Sequence, residues 1–170
     1  MSINVLEHSS DKYPPRTYHN ASNADLTIAF AIDFDTAGER LTERAAKGKY
    51  LRVIINQPDF DSITSYISNY QPKIINIAGN SEKRFTDKLI PLTYVRDVIK
   101  CVITYISSIC RPLIILSGGQ TGADIIGASV AHELGIATEV MLPRGYVQRD
   151  KNGRDAQHSK DDIINQIRSG

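Results

Sequence analysis

Short apolar runs of strand length alternate along this chain with segments of helical spacing, and that alternation constrains the fold more than any other feature. The runs are residues 26–32 (LTIAFAI), 50–55 (YLRVII), 73–77 (KIINI), 113–116 (LIIL) and 137–142 (ATEVML). Most are apolar on both faces, as strands buried in a parallel sheet must be. Between them, residues 38–48, 59–70, 94–110 and 121–134 read as helices; in the second, Phe60, Ile63, Tyr66, Ile67 and Tyr70 form one apolar stripe. Asp59 or Asp61 can cap that helix, and Gly48 and Gly135 are stop signals. The pattern predicts an α/β fold, a doubly wound, Rossmann-like, mainly parallel sheet of about five strands. With 170 residues the chain is one domain, 1–170. Residues 1–24, polar and broken by Pro14 and Pro15, read as an irregular N-terminal arm. Residues 81–92 read as a loop, and 146–170 as a polar C-terminal tail with one short helix near 161–167.

In such a sheet, ligands bind beyond the carboxyl ends of the strands. The residues directly after each run are therefore the candidates for function. The first group is Ser117, Gly118, Gly119, Gln120, Thr121, Gly122 and Asp124. An apolar strand meets two glycines, a polar pair and a third glycine that opens a helix. The glycines let backbone approach a ligand, and the helix N-terminus offers N–H groups to an anion. The spacing is neither that of a GxxxxGK[ST] loop nor that of GxGxxG. A bulky residue at Gly119 is expected to stand in a phosphate's path. The second group, Thr36, Ala37, Gly38 and Thr42, occupies an equivalent turn. Thr36 and Glu39 have the spacing of a capping box. Asp33 suits ribose hydroxyls, and Glu39, if burial raises its pKa, suits general base catalysis. Gly79 and Asn80 form a third turn. Arg144 follows the last run and offers a bidentate fork to phosphate.

Composition excludes several classes. Lys and Arg number 20 against 19 Asp and Glu, so bulk electrostatic capture of nucleic acid or an anionic membrane is not expected. His8, His19, His132 and His158 are scattered, no zinc spacing occurs, and no metal site is expected. Cys101 and Cys110 would lie roughly 13 Å apart on one helix, which excludes a disulfide and suggests two buried thiols. Met1-Ser2-Ile3-Asn4-Val5 lacks the basic start and apolar run of a leader. The most apolar stretch, 95–109, is interrupted by Arg96, Asp97 and Lys100. A cytoplasmic protein is expected.

Taken together, the motifs resemble the molybdenum-carrier family within the wider LOG-like and SMF/DprA-like (SLOG) group of Rossmann-like nucleotide-binding proteins. That family opens with a strand and SGGQTGVD, then ELGI and a PKGR turn. Here the matches are residues 117–124, Glu133-Leu134-Gly135-Ile136 and Pro143-Arg144-Gly145. Its second half has R-T-x-x-N, a SDATLI-type strand, a TGGTxLT turn and N-V-A-G. The matches are Arg16-Thr17-Tyr18-His19-Asn20, residues 24–28, residues 36–42 and Asn76-Ile77-Ala78-Gly79. The order is inverted, so the resemblance implies a circular permutant in which residues 81–111 join the family's old ends. It also implies that Arg16 and Asn20 belong to the ligand site.

Three functions follow as expectations. One is binding, sequestering or sensing of a nucleotide or nucleotide-derived small molecule. Another is a LOG-like N-glycoside or phosphoribosyl hydrolase with Glu39 and Asp33 catalytic. The third is a carrier of a phosphorylated molybdopterin-type cofactor. A homo-oligomer is expected, because doubly wound folds commonly pair edges or helices.

Overall fold

All five expected runs form strands in the computed structural model, which describes residues 2–111 and 113–170. Met1, part of the segment read for a leader, and Pro112 lie outside the described residues. In chain order the elements are β1 (Ile3–Glu7), α1 (Tyr13–Asn23), β2 (Leu26–Ala31), α2 (Ala37–Ala46), β3 (Tyr50–Ile54), α3 (Phe60–Tyr70), β4 (Ile74–Gly79), α4 (Glu82–Asp87) and α5 (Leu92–Ile109). Then come β5 (Ile114–Ser117), α6 (Ala123–Glu133), β6 (Ala137–Leu142), the two-residue strands β7 (Gln148–Arg149) and β8 (Asp155–Ala156), and α7 (Lys160–Ser169). The main sheet has 6 strands in the order β1-β6-β5-β4-β2-β3, and every pairing in it is parallel. The fold is a doubly wound α/β sheet.

Three readings of the sequence are corrected. Residues 1–24 are not an irregular arm: Ile3–Glu7 adds a sixth strand beside β6, and Pro14 and Pro15 sit in the first turn of α1. Proline is tolerated there, because those N–H groups have no partner within the helix. The tail bears the expected short helix, lengthened to Lys160–Ser169, and packs it on the sheet. A Ser159–Asp162 capping box starts α7, and Ile163 and Ile167 pack against Val5, Val140 and Leu142. Residues 81–92 include the short helix α4, which buries Phe85. Of the two thiols, only Cys110 is buried; Cys101 is exposed.

The two faces of the sheet differ. On one, Leu26, Ile28, Phe30, Ile75, Ile77 and Ile115 form the main core with aliphatic residues of α3, α5 and α6. Alternation sends Thr27, Ala29 and Ala31 of β2 to the opposite face, where Thr27 and Ala29 lie in register with Asn76 and Ala78 of β4. Helices α1 and α2 cover this second face, packed through Ala21, Ala45 and Ala46. Its small and polar side chains leave open space above the sheet.

The strand order also fixes a switch point. From β2 the chain moves to β3, toward one edge; from β4 it moves through β5 and β6, toward the other. Between the neighbours β2 and β4 the outgoing connections therefore diverge and open a crevice.

Candidate functional site

A cleft of about 730 Å³ lies at this switch point, on the face held by α1 and α2. That volume suits a nucleotide-sized molecule. Its floor is Asn76, Ala78 and Gly79 of β4, and one wall is Thr36, Ala37, Gly38, Glu39 and Thr42. The opposite wall is Tyr13, Arg16, Thr17 and Asn20 of α1, with Gln120, Asp124 and Arg149 beyond; Asn80, Ser81 and Arg84 close the end above β4.

Thr36 caps α2 by accepting from the Glu39 N–H at 3.1 Å, but the second half of the expected capping box is absent. The Glu39 carboxylate turns inward instead and is 4 % exposed. It accepts from the Tyr50 hydroxyl at 3.2 Å and from Asn80 Nδ2 at 3.4 Å. Burial pushes its pKa up to about 7, and the charge of Asp124 adds to the rise; the bonds from Tyr50 and Asn80 oppose it. Tyr50 is pushed up by burial and then by Glu39. Asn80 is a structural strut as well: its Oδ1 accepts from the N–H groups of Ile32 and Asp33, and its Nδ2 donates to the Asp33 carbonyl. This ties the end of β4 to the end of β2.

Across the cleft, Arg16 and Asp124 form a buried pair at 3.5 Å. Burial lowers the Arg16 pKa and raises that of Asp124 to about 6, each against the attraction of its partner. Gly118 makes the pair possible. A Cβ there would lie 1.7 Å from Arg16 Nη1 and 2.4 Å from Asp124 Oδ2. Arg84 is paired with Asp33. Asp33 is therefore occupied by an arginine and lies outside the cleft.

Three buried donors at this site have no partner among the described residues: Arg16 Nε, Asn20 Nδ2 and Arg84 Nε. All three residues line the cleft. A buried donor without a partner costs on the order of 1–3 kcal/mol, so these three groups concentrate unmet hydrogen-bonding capacity in the residues around the cleft.

The glycine-rich turn takes a different place. Ser117 is fully buried, donates to the Asp124 carbonyl at 2.8 Å and accepts from the Gly119 N–H at 3.1 Å. The Thr121 hydroxyl donates to the Arg149 carbonyl at 2.6 Å, and Gln120 holds the backbone of Val147 and Arg149. A Cβ on Gly119 would lie 2.7 Å from Val140 and 2.9 Å from Leu142, toward the core and not toward a ligand. One on Gly122 would strike the backbone of Asn80 and Ser81. So Gln120 and Asp124 reach the cleft, whereas Ser117, Gly118, Gly119, Thr121 and Gly122 do not line it. Arg144 does not line it either: its side chain is exposed, and its N–H bonds the Ser10 carbonyl. The sequence reading did not single out Tyr13, Arg84 or Arg149, and it quoted Asn76 only within a family match. The Asn76 position carried a signal, a polar residue inside an apolar strand; it bonds Thr27 at 3.3 Å. Among the described residues, no helix is long and apolar enough to cross a membrane.

Compared with protein-family models, curated proteins and solved structures, the chain matches none.

Proposed function

We propose that this protein captures or senses a nucleotide or nucleotide-derived small molecule in the cleft at the β2/β4 switch point. The observation that carries the proposal is the convergence of the unpartnered Arg16, Asn20 and Arg84 donors in one cavity. Guanidinium N–H groups suit phosphate oxygens, and an amide donor suits a base or sugar acceptor. The floor of Asn76 and Ala78 lets a flat ring approach the sheet. The resemblance to nucleotide-binding Rossmann-like proteins supports the same reading and implies a role for Arg16 and Asn20 at the ligand. Calorimetric titration with AMP, ADP, adenosine, NAD derivatives and cyclic nucleotides tests it. Saturable binding of at least one is expected; no binding to any of them overturns it.

Glu39 favours a second reading, hydrolysis of an N-glycosidic bond. A cleft-lining carboxyl with a pKa of about 7 is half protonated near neutrality and can deliver a proton. Water would add to the anomeric carbon as the C–N bond breaks, Glu39 would protonate the departing base nitrogen, and the proton shed by the water would restore the Glu39 carboxyl. Incubation with AMP followed by chromatography should then release adenine, and Glu39→Gln should abolish release but spare binding. AMP left intact at high protein concentration overturns this reading alone. Asp33, paired with Arg84 outside the cleft, has no part in it. The carrier reading, in which the same cleft holds a phosphorylated molybdopterin-type cofactor, is tested by elemental analysis of the purified protein.

A further inference from the structure

We infer that Glu39 meets the ligand as an uncharged carboxylic acid, and that the cleft therefore takes an anionic ligand together with a proton. This rests on the nucleotide reading for the identity of the anion but has its own geometric basis, the way charges are paired around the cleft. Arg16 is held by Asp124 at 3.5 Å, Arg84 by Asp33, and Arg149 by Asp155 at 3.0 Å. Asp155 also accepts from the Tyr13 hydroxyl at 2.7 Å. Arg52 donates to both Glu43 oxygens, at 2.9 and 2.8 Å, and lies over the Phe34 ring. Each of these arginines has a carboxylate of its own. Among the described residues, Glu39 is the cleft-lining carboxyl that makes no ion pair, and its two partners, Tyr50 and Asn80, are neutral.

The groups around Glu39 come from every element packed there. Its own helix contributes Glu43, β3 contributes Tyr50 and Arg52, α6 contributes Asp124 and α1 contributes Arg16; beyond Asn80 stand Asp33 and Arg84. The repulsion from Asp124 exceeds the attraction from Arg52. Asn80 can only donate to Glu39, because its Oδ1 already accepts from the N–H groups of Ile32 and Asp33. Burial and this imbalance bring the Glu39 carboxyl to a pKa of about 7. An anion brought into the same buried cleft adds a like charge in a low-dielectric setting and pushes that value higher. The proton comes from solvent. The carboxyl, which as an anion could only accept, then has a donor to offer. Asp124 is the contrasting carboxyl: burial raises it to about 6 against the pull of Arg16, and it keeps its counter-ion.

Titration with AMP at pH 6 and pH 8 tests this, with Glu39→Gln as the reference. That variant carries a permanently neutral amide and retains the titrations of Asp124 and of the phosphate itself, whose second pKa is about 6. Relative to it, the parent should lose AMP affinity about tenfold between the two pH values, because the acid form of a group with a pKa of about 7 becomes scarce over that range. Sulfate, whose charge is constant there, should raise the melting temperature of the parent more at pH 6 than at pH 8, which needs no nucleoside. Tyr50→Phe removes a bond that favours the anion, so it should move the fall in AMP affinity to higher pH and supplies a second, independent variant. The same pH dependence in parent and Gln variant, or a fall that Tyr50→Phe leaves in place, overturns the inference and leaves the nucleotide reading standing. Parent affinity that rises with pH relative to the Gln variant would mean that Glu39 binds as a carboxylate, which also overturns it. Sulfate stabilisation with the expected pH dependence, without binding of any nucleotide, supports the inference and removes the nucleotide reading. No response to sulfate or to any nucleotide overturns both.

Discussion

The turn after β5 and the turn after β2 both join a strand to a helix through glycine, and they are put to opposite uses. In the first, Gly119 and Gly122 have φ of 67° and 98° and stand against neighbouring side chains and backbone. That turn is a packing joint, and what it presents to the cleft is Asp124 with the Arg16 it holds. In the second, a Cβ on Gly38 would meet only Thr36 Oγ1, at 3.9 Å, and the turn opens onto the cleft. Glycine concentration marks where chain segments crowd together; whether the crowding partner is a ligand or the protein itself depends on what the rest of the chain brings there.

Gly119→Val should break this contrast most severely. A side chain at positive φ would overlap Val140 and Leu142, so a loss of about 4 kcal/mol is expected, read from urea unfolding. A variant with unchanged stability would show that the turn faces open space.

Glu39→Gln should have the next largest effect, and a pH-dependent one. The folded-state pKa of Glu39 is about 7, above the ordinary 4.5, so the native state binds more protons between those values. Stability from this group is complete below about pH 4.5 and is lost as pH rises through about 7, by about 3 kcal/mol. The Gln variant should melt higher than the parent at pH 8 and nearly with it at pH 5; the same offset at both pH values would exclude a buried, proton-binding Glu39.

Asn20→Leu removes an unpartnered buried donor. It should stabilise the unliganded protein by about 1 kcal/mol and weaken ligand binding at least tenfold. Lower stability with unchanged binding would move Asn20 from the ligand site to the scaffold. Gly38→Ala should have the smallest effect, a gain of about 0.5–1 kcal/mol from the helix position, with weaker binding because the methyl enters the cleft. If binding is unaffected, the ligand does not reach the α2 wall.

Much of the scaffold was legible because its signals are local. The apolar runs at 26–32 and 113–116 have the length and two-sided burial of inner strands, and Thr36 and Asp59 cap helices as their positions suggested. β1 escaped, and the helix near 161–167 was read without its place in the core, because their apolar residues are few: Val5, Ile163 and Ile167 become core only when they meet one another. Tyr13, Arg84 and Arg149 escaped because nothing local separates a cleft-lining arginine or tyrosine from a solvated one. Arg144 shows the reverse error, a charged residue after a strand whose side chain remains in solvent.

The sequence by itself determined the alternating α/β architecture, the level of the sheet at which the cleft opens and several of the residues that line it. Hydrophobic periodicity and capping act within a few residues, and those forces are written in the order of side chains. Tertiary structure decided which turn faces the cleft, which carboxylates are buried and which arginine donors stay unpartnered. Those properties arise where β2, β4, β5 and α1 meet, among residues as distant in the chain as Arg16 and Asp124, and no local pattern encodes them.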